Sequence, residues 1–121
     1  MNTVQLIGRL TRNPELRYTP TGTATCTIRL AVPRRKRNGE DPAPVYVDVV
    51  TFGPQAEAIA EYMAQGRRVA VVGRLEYREW TDNEGGRHSK HEVVAHQVDF
   101  LDKPRAGGDA APDYEPDEEP F

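Results

Sequence analysis

Tyr46, Phe52, Tyr77 and Trp80 are flat rings set among cations: Arg74, Arg78, Arg87, Lys90 and the unbroken run Arg34-Arg35-Lys36-Arg37. Rings of this kind stack on unpaired nucleobases while cations track the phosphates, and each stacked base contributes about 1–3 kcal/mol with little regard to its identity. The same residues have an ordinary structural use, since aromatics fill barrel cores and basic runs form solvated loops. For Phe52 the sequence leaves core and contact equally open. Trp80 sits between Glu79 and Thr81 beside a polar turn, which favours exposure.

Catalytic constellations are missing from the pattern. His88, His91 and His96 lie close together and Cys26 could join them, but neither His88 nor His91 has a standard metal spacing to a Cys or Glu. There is no phosphate-cradling Gly-rich loop, no nucleophile elbow and no HExxH. The carboxylates are scattered along strand edges. The expectation is a binding protein with no cofactor and no metal, and a small nuclease or hydrolase is the weakest reading.

The end of the chain carries a third candidate site, Asp117, Glu118, Glu119, Pro120 and Phe121. A terminal ring can enter an apolar pocket while its carboxylate and the neighbouring acids meet Arg or Lys at the rim. The prolines restrict the free chain and lower its ordering cost. A plain solubility tail would not call for a bulky apolar last residue.

Charge is segregated in the same way. The net charge of −3 divides into +2 over residues 1–103, with 15 Lys/Arg against 13 Asp/Glu, and −5 over residues 104–121. Such asymmetry suits a body that binds a polyanion and a tail that binds proteins; a neutral domain with a solubilising tail fits the charge alone equally well. Apolar runs are only a few residues long, far short of the roughly 18 a membrane span requires. The N-terminus lacks the basic and apolar regions of a secretory signal, and a single cysteine fits a reducing cytoplasm.

The elements that must position these residues are legible from periodicity. Residues 3–10 read as a strand, broken at Asn13-Pro14, which residues 16–18 could resume. From Ala24, alternate residues Ala24, Cys26, Ile28, Leu30 and Val32 face one way, the pattern of a half-buried strand. A loop over residues 33–44 has Asn38-Gly39 at its tip, and residues 45–52 form the next strand. Gly53-Pro54 opens a helix whose apolar face is Ala56, Ile59, Ala60 and Met63, with Gly66 as its stop. Residues 68–80 form a long strand, residues 82–86 a turn, and a last strand runs to about Leu101. Five strands with one helix between the third and fourth predict a mainly β chain, an OB-fold Greek-key barrel. A small α+β sandwich of the same element order is its rival. The domain boundary falls at residue 103, with a short linker and acidic tail over 104–121 whose composition predicts disorder.

With these motifs in place, the chain resembles the bacterial single-stranded DNA-binding protein family over nearly its whole length. The carriers are Asn2-Thr3-Val4-Gln5-Leu6-Ile7-Gly8-Arg9-Leu10, the stretch Asn13-Pro14-Glu15-Leu16-Arg17-Tyr18 through Gly22, Phe52-Gly53, Glu61-Tyr62, Gly66, Gly73-Arg74-Leu75 and Trp80-Thr81-Asp82. The resemblance implies an OB-fold homotetramer that wraps single-stranded DNA without sequence preference, in a nucleoid-associated cytoplasmic setting. Residues 1–103 would bind DNA. The acidic tip would recruit replication, recombination and repair proteins. It places stacking rings at Tyr46, Phe52 and Trp80. Tyr46 stands where a tryptophan is common, the basic run stands where another aromatic is common, and Glu119 takes an aliphatic place in the tip. Glu76 and Glu79 put negative charge near the expected DNA path. An OB-fold primosome-type adaptor, devoted to holding other proteins, is the alternative; it would have no need of the acidic Pro-Phe terminus.

Overall fold

The computed structural model describes residues 1–102. Six strands and one helix follow in order: β1 (Val4–Leu10), β2 (Glu15–Tyr18), β3 (Ala24–Val32), β4 (Val45–Phe52), α1 (Pro54–Tyr62), β5 (Arg68–Thr81) and β6 (Arg87–Phe100). Neighbouring strands run β1-β5-β6-β4-β3-β2, and a further pairing of β1 with β3 closes the sheet on itself. That closure rests on β1 changing partner along its length. Val4 to Arg9 pair with β5, whereas Arg9 and Leu10 pair with Ala31 and Leu30 of β3. β2 then continues along β3, so the first barrel strand is delivered in two pieces separated by the Asn13-Pro14 break. All neighbours are antiparallel except β4 and β6, which are parallel. This is the OB-fold barrel, and the β1–β3 closure excludes an open α+β sandwich.

The core is formed by the alternation read from the sequence. Ala24, Cys26, Ile28 and Leu30 of β3 are buried with Val49 of β4, Val69 and Val71 of β5, and Val93 and Ala95 of β6. Helix α1 plugs one end with Ala56 and Ile59, joined by Met63 just beyond it. The helix stops at Tyr62, earlier than Gly66. Met63 is already extended and donates its N–H back to Ile59, while Gly66 sits in the following turn and donates to Leu10. Gly66 therefore ties the turn to β1, and the same position reads as a helix stop in the sequence.

In β6 the inward residues change parity, from Val93 and Ala95 to Val98 and Phe100. The cause is a register shift opposite Val72 and Gly73, which leaves His96 as the extra residue of a bulge. Gly73 fits there because a Cβ would lie 2.2 Å from the Val94 carbonyl oxygen and 2.9 Å from the Ala95 Cα. Backbone cannot yield as a flexible side chain would. Gly73→Ala is expected to destabilise the barrel by about 2 kcal/mol or more, read as a lower urea midpoint. A midpoint equal to that of the parent would contradict the close approach.

Candidate nucleic-acid interface

Register decides which side chains share a surface, because residues directly opposite project to the same side of a sheet. Across β3 and β4, Thr25 faces Phe52, Arg29 faces Asp48 and Ala31 faces Tyr46. Val49 and Val50 of β4 align with Val93 and Val94 of β6. Across β5 and β6, Glu76 faces Glu92, Arg78 faces Lys90 and Trp80 faces His88. Since Val49 and Val93 point inward, these residues form the outer surface of four adjacent strands. Arg74, two residues before Glu76, belongs to it as well.

Phe52 lies on this surface and is 48% exposed, so it is no core residue; Tyr46 is 51% and Trp80 40% exposed. Phe52 marks the helix end of β4 and Tyr46 the opposite end. Because β4 and β6 are parallel, the start of β4 and the start of β6 lie at the same end of the barrel. The loop over residues 33–44 and the β5–β6 turn therefore flank one end of the face, with Tyr46 nearby. Asn38 and Gly39 occupy the loop tip with φ of 54° and 76°, and Glu40 donates its N–H to the Arg37 carbonyl, the tight hairpin that Asn-Gly favours. Arg34, Arg35, Lys36 and Arg37 line one side of it, and Lys36 pairs with Asp41 at 3.2 Å.

Tyr77 and Arg87 do not join Trp80 on this face. Tyr77 pairs with His91 and Arg87 with Thr81, so both project from the other side of the β5–β6 ribbon. The Tyr77 ring lies 5.1 Å from that of His91, and its hydroxyl donates to Glu79 at 2.9 Å. At the ribbon tip, Tyr77, Trp80, Arg87 and His88 line a recess of about 310 Å³ together with Glu79, Thr81 and Ser89, so the two sides meet there.

Trp80 is held by its neighbours. His88 stacks on it with ring centroids 5.3 Å apart and planes 18° from parallel, and the Arg78 guanidinium lies 4.6 Å from the ring centre. His88 is fixed in turn by Asp82, whose carboxylate is 2.8 Å from its Nε2 and also accepts the backbone N–H groups of Gly86 and Glu84. The His88 contact, with those two N–H groups, holds the Asp82 carboxyl below its ordinary range. His88 thus supports a ring. Among the described residues no group of three or more His, Cys, Asp or Glu could hold a metal ion. Cys26 lies in the core, and burial pushes its thiol up.

The cations of the face are already engaged. Arg74 pairs with Glu76 at 2.6 Å, and Arg78 pairs with the buried Glu92 at 3.2 Å. Lys90 reaches both Asp48 and Glu92. Asp48 also accepts from Arg29 at 3.1 Å, and the Arg29 guanidinium lies 5.4 Å from the Tyr46 ring centre. Burial pushes the Asp48 carboxyl up, but Lys90 and Arg29 outweigh it and hold the group below its usual value. Among the described residues, Arg34, Arg35, Arg37 and Arg87 are in no ion pair. Sequence reasoning misses Arg29, Asp48, His88 and Glu92 at the site, because only strand register brings them together. The tip residues Asp117, Glu118, Glu119, Pro120 and Phe121 lie outside the described residues.

Fold and surface together define an OB-fold barrel with an open face of rings and cations. Comparison with known proteins agrees. The single-strand binding protein family matches residues 1–101. Single-stranded DNA-binding protein 2 of Clostridium acetobutylicum is 47% identical over 104 residues, covering 84% of this chain and 77% of its own. The single-stranded DNA-binding protein of Clostridium tetani is 46% identical over 104 residues, covering 84% and 71%. Single-stranded DNA-binding protein A of Bacillus subtilis is 41% identical over 116 residues, covering 94% and 67%. This chain belongs to the single-strand binding protein family.

Proposed function

We propose that the protein binds single-stranded DNA without sequence preference, covers strands exposed in replication, recombination and repair, and recruits partner proteins through its acidic tip. Its work is binding, without catalysis, in the bacterial cytoplasm on the nucleoid. The observation that carries the reading is the row Phe52, Tyr46 and Trp80, all exposed on one barrel face and flanked by the basic loop of residues 33–44. Exposed rings have an apolar face to lose to water, and unpaired bases offer the complementary planes. Arg34, Arg35, Lys36, Arg37, Arg74, Arg78 and Lys90 would follow the phosphates, with Tyr77 and Arg87 meeting the strand where it rounds the ribbon. The family matches support this reading. Residues 1–103 form the DNA-binding domain and 104–121 the linker and partner-binding tail. Titration with oligo-dT and with duplex tests the DNA reading.

We further infer a homotetramer built partly by β1 pairing with its copy. Arg9 and Leu10 of β1 pair with β3 and Gly8 lies against Ala31 and Val32, so its edge over residues 4–7 pairs with no second strand of the described chain, and Ile7 is 38% exposed there. An open edge of this kind is ordinarily paired or covered. Light scattering at micromolar concentration should report four chains; a monomer would contradict the assembly.

Deleting residues 117–121 should abolish partner capture in a pull-down while leaving DNA affinity intact or slightly higher. Phe121 is the bulky apolar anchor of the tip, and truncating an interface aromatic often costs about 2 kcal/mol or more. The net −5 tail also competes with DNA for the basic body, most strongly at low salt. Glu119→Ile should tighten partner binding. Unchanged capture after truncation would reduce the tail to a solubility device.

A further inference from the structure

The geometry points to Asp48 as a built-in competitor of the DNA backbone, which holds Arg29 and Lys90 until phosphate displaces it and thereby sets the strength and salt dependence of binding. The inference rests on the proposed single-strand binding and names a residue that tunes it. Arg29, Asp48, Lys90, Glu92 and Arg78 form a chain of alternating charge across β3, β4, β6 and β5. Its side chains lie on the same face as Phe52, Tyr46 and Trp80. Asp48 is the best placed of the two acids to compete. It holds Arg29 of β3 and Lys90 of β6 both within hydrogen-bond distance, whereas Glu92 holds Arg78 at 3.2 Å but lies 3.9 Å from Lys90. Arg29 and Lys90 keep 38% and 30% of their side chains exposed, so both can turn toward a strand lying on the face.

A phosphate that takes Arg29 or Lys90 leaves Asp48 short of a partner. The bared carboxylate then recruits a cation from solution. Binding a strand releases counterions from DNA, but this step returns one, so the pair contributes less to the salt slope than two free cations would. The same exchange lowers affinity at low salt, where electrostatic attraction is strongest. The face thus holds the strand chiefly through its rings, and Asp48 keeps the grip of the cations loose.

The experiment compares the full chain with Asp48→Asn, an isosteric change that removes the charge, by titration with oligo-dT over a range of salt. The variant should have a salt slope steeper by about 0.7. It should bind roughly eightfold more tightly near about 50 mM salt and equally near about 1 M, as that slope requires. Glu61→Gln removes the same charge from the exposed side of α1, away from the face, and should leave the slope unchanged. If the amide variant does not fold, Asp48→Thr, whose β-branched side chain suits a strand, carries the same expectation. Equal or weaker binding by the Asp48 variant with an unchanged slope would overturn the inference, and would mean that Asp48 orients the two cations for DNA. A parent protein that fails to bind oligo-dT would overturn the single-strand reading itself, and the inference with it.

Discussion

Replacing Arg34, Arg35, Lys36 and Arg37 together with alanine is expected to flatten the salt dependence of DNA binding by about 2 to 3 in slope, at about 0.7 for each phosphate that a cation no longer neutralises. Near about 0.1 M salt this corresponds to roughly a hundredfold to a thousandfold weaker binding, converging on the parent near about 1 M. The reason is geometric. The cations on the barrel face are engaged with Glu76, Glu92 and Asp48, so their charge is largely spent within the protein. In the loop only Lys36 has an acidic partner among the described residues, Asp41, and that pair is exposed and of little strength. Most of the counterion release should therefore come from the loop. Alanine at Arg74 or Arg78 should change the slope by less than alanine at Arg34 or Arg35. An unchanged slope in the four-residue variant would mean that the loop is solvated and never reaches the strand. Its stability should be that of the parent, because no core residue is touched.

Trp80→Ala is expected to weaken binding by about 1–3 kcal/mol, roughly fivefold to 150-fold, with the thermal midpoint little changed. Trp80 projects from the ribbon beyond the barrel core, so its removal opens no internal cavity. The ring is framed by Arg78 and His88, which restrict it to one orientation before DNA arrives. Little ordering cost then remains to be met on binding. Loss of folding in this variant would instead assign the ring to structure. Phe52→Ala and Tyr46→Ala should act in the same direction, and their effects need not add, since neighbouring bases stack as a unit.

Much of the fold is legible in the sequence because its signals are local. The clean alternation of Ala24 to Val32 and the Gly53-Pro54 helix start depend on nearby residues, and both appear where the sequence places them. The first barrel strand is legible as one strand with a break. Its second piece, Glu15–Tyr18, pairs with β3 alone, and nothing local in residues 15–18 announces that change of partner. The β6 alternation fails at His96 because a bulge inserts a residue, which only pairing with β5 reveals. The site divides in the same way. The shared side of Tyr46 and Phe52 follows from parity along one strand. The opposite placement of Tyr77 and Trp80 follows equally from parity. The ion-pair chain through Asp48 does not, since its members come from four strands and only tertiary register joins them. His88 shows the limit most clearly: in the sequence it is a weak candidate metal ligand, and in the fold it supports Trp80 by stacking.

The most direct test of the central claim is a fluorescence titration of the full chain, following its single tryptophan, Trp80, with oligo-dT in one arm and duplex of equal length in the other. Only unpaired bases offer free faces to an exposed ring, so oligo-dT should quench Trp80 strongly and duplex hardly at all. Equal affinity for the two, or oligo-dT binding that leaves Trp80 emission unchanged, would contradict a face that works by stacking on single strands.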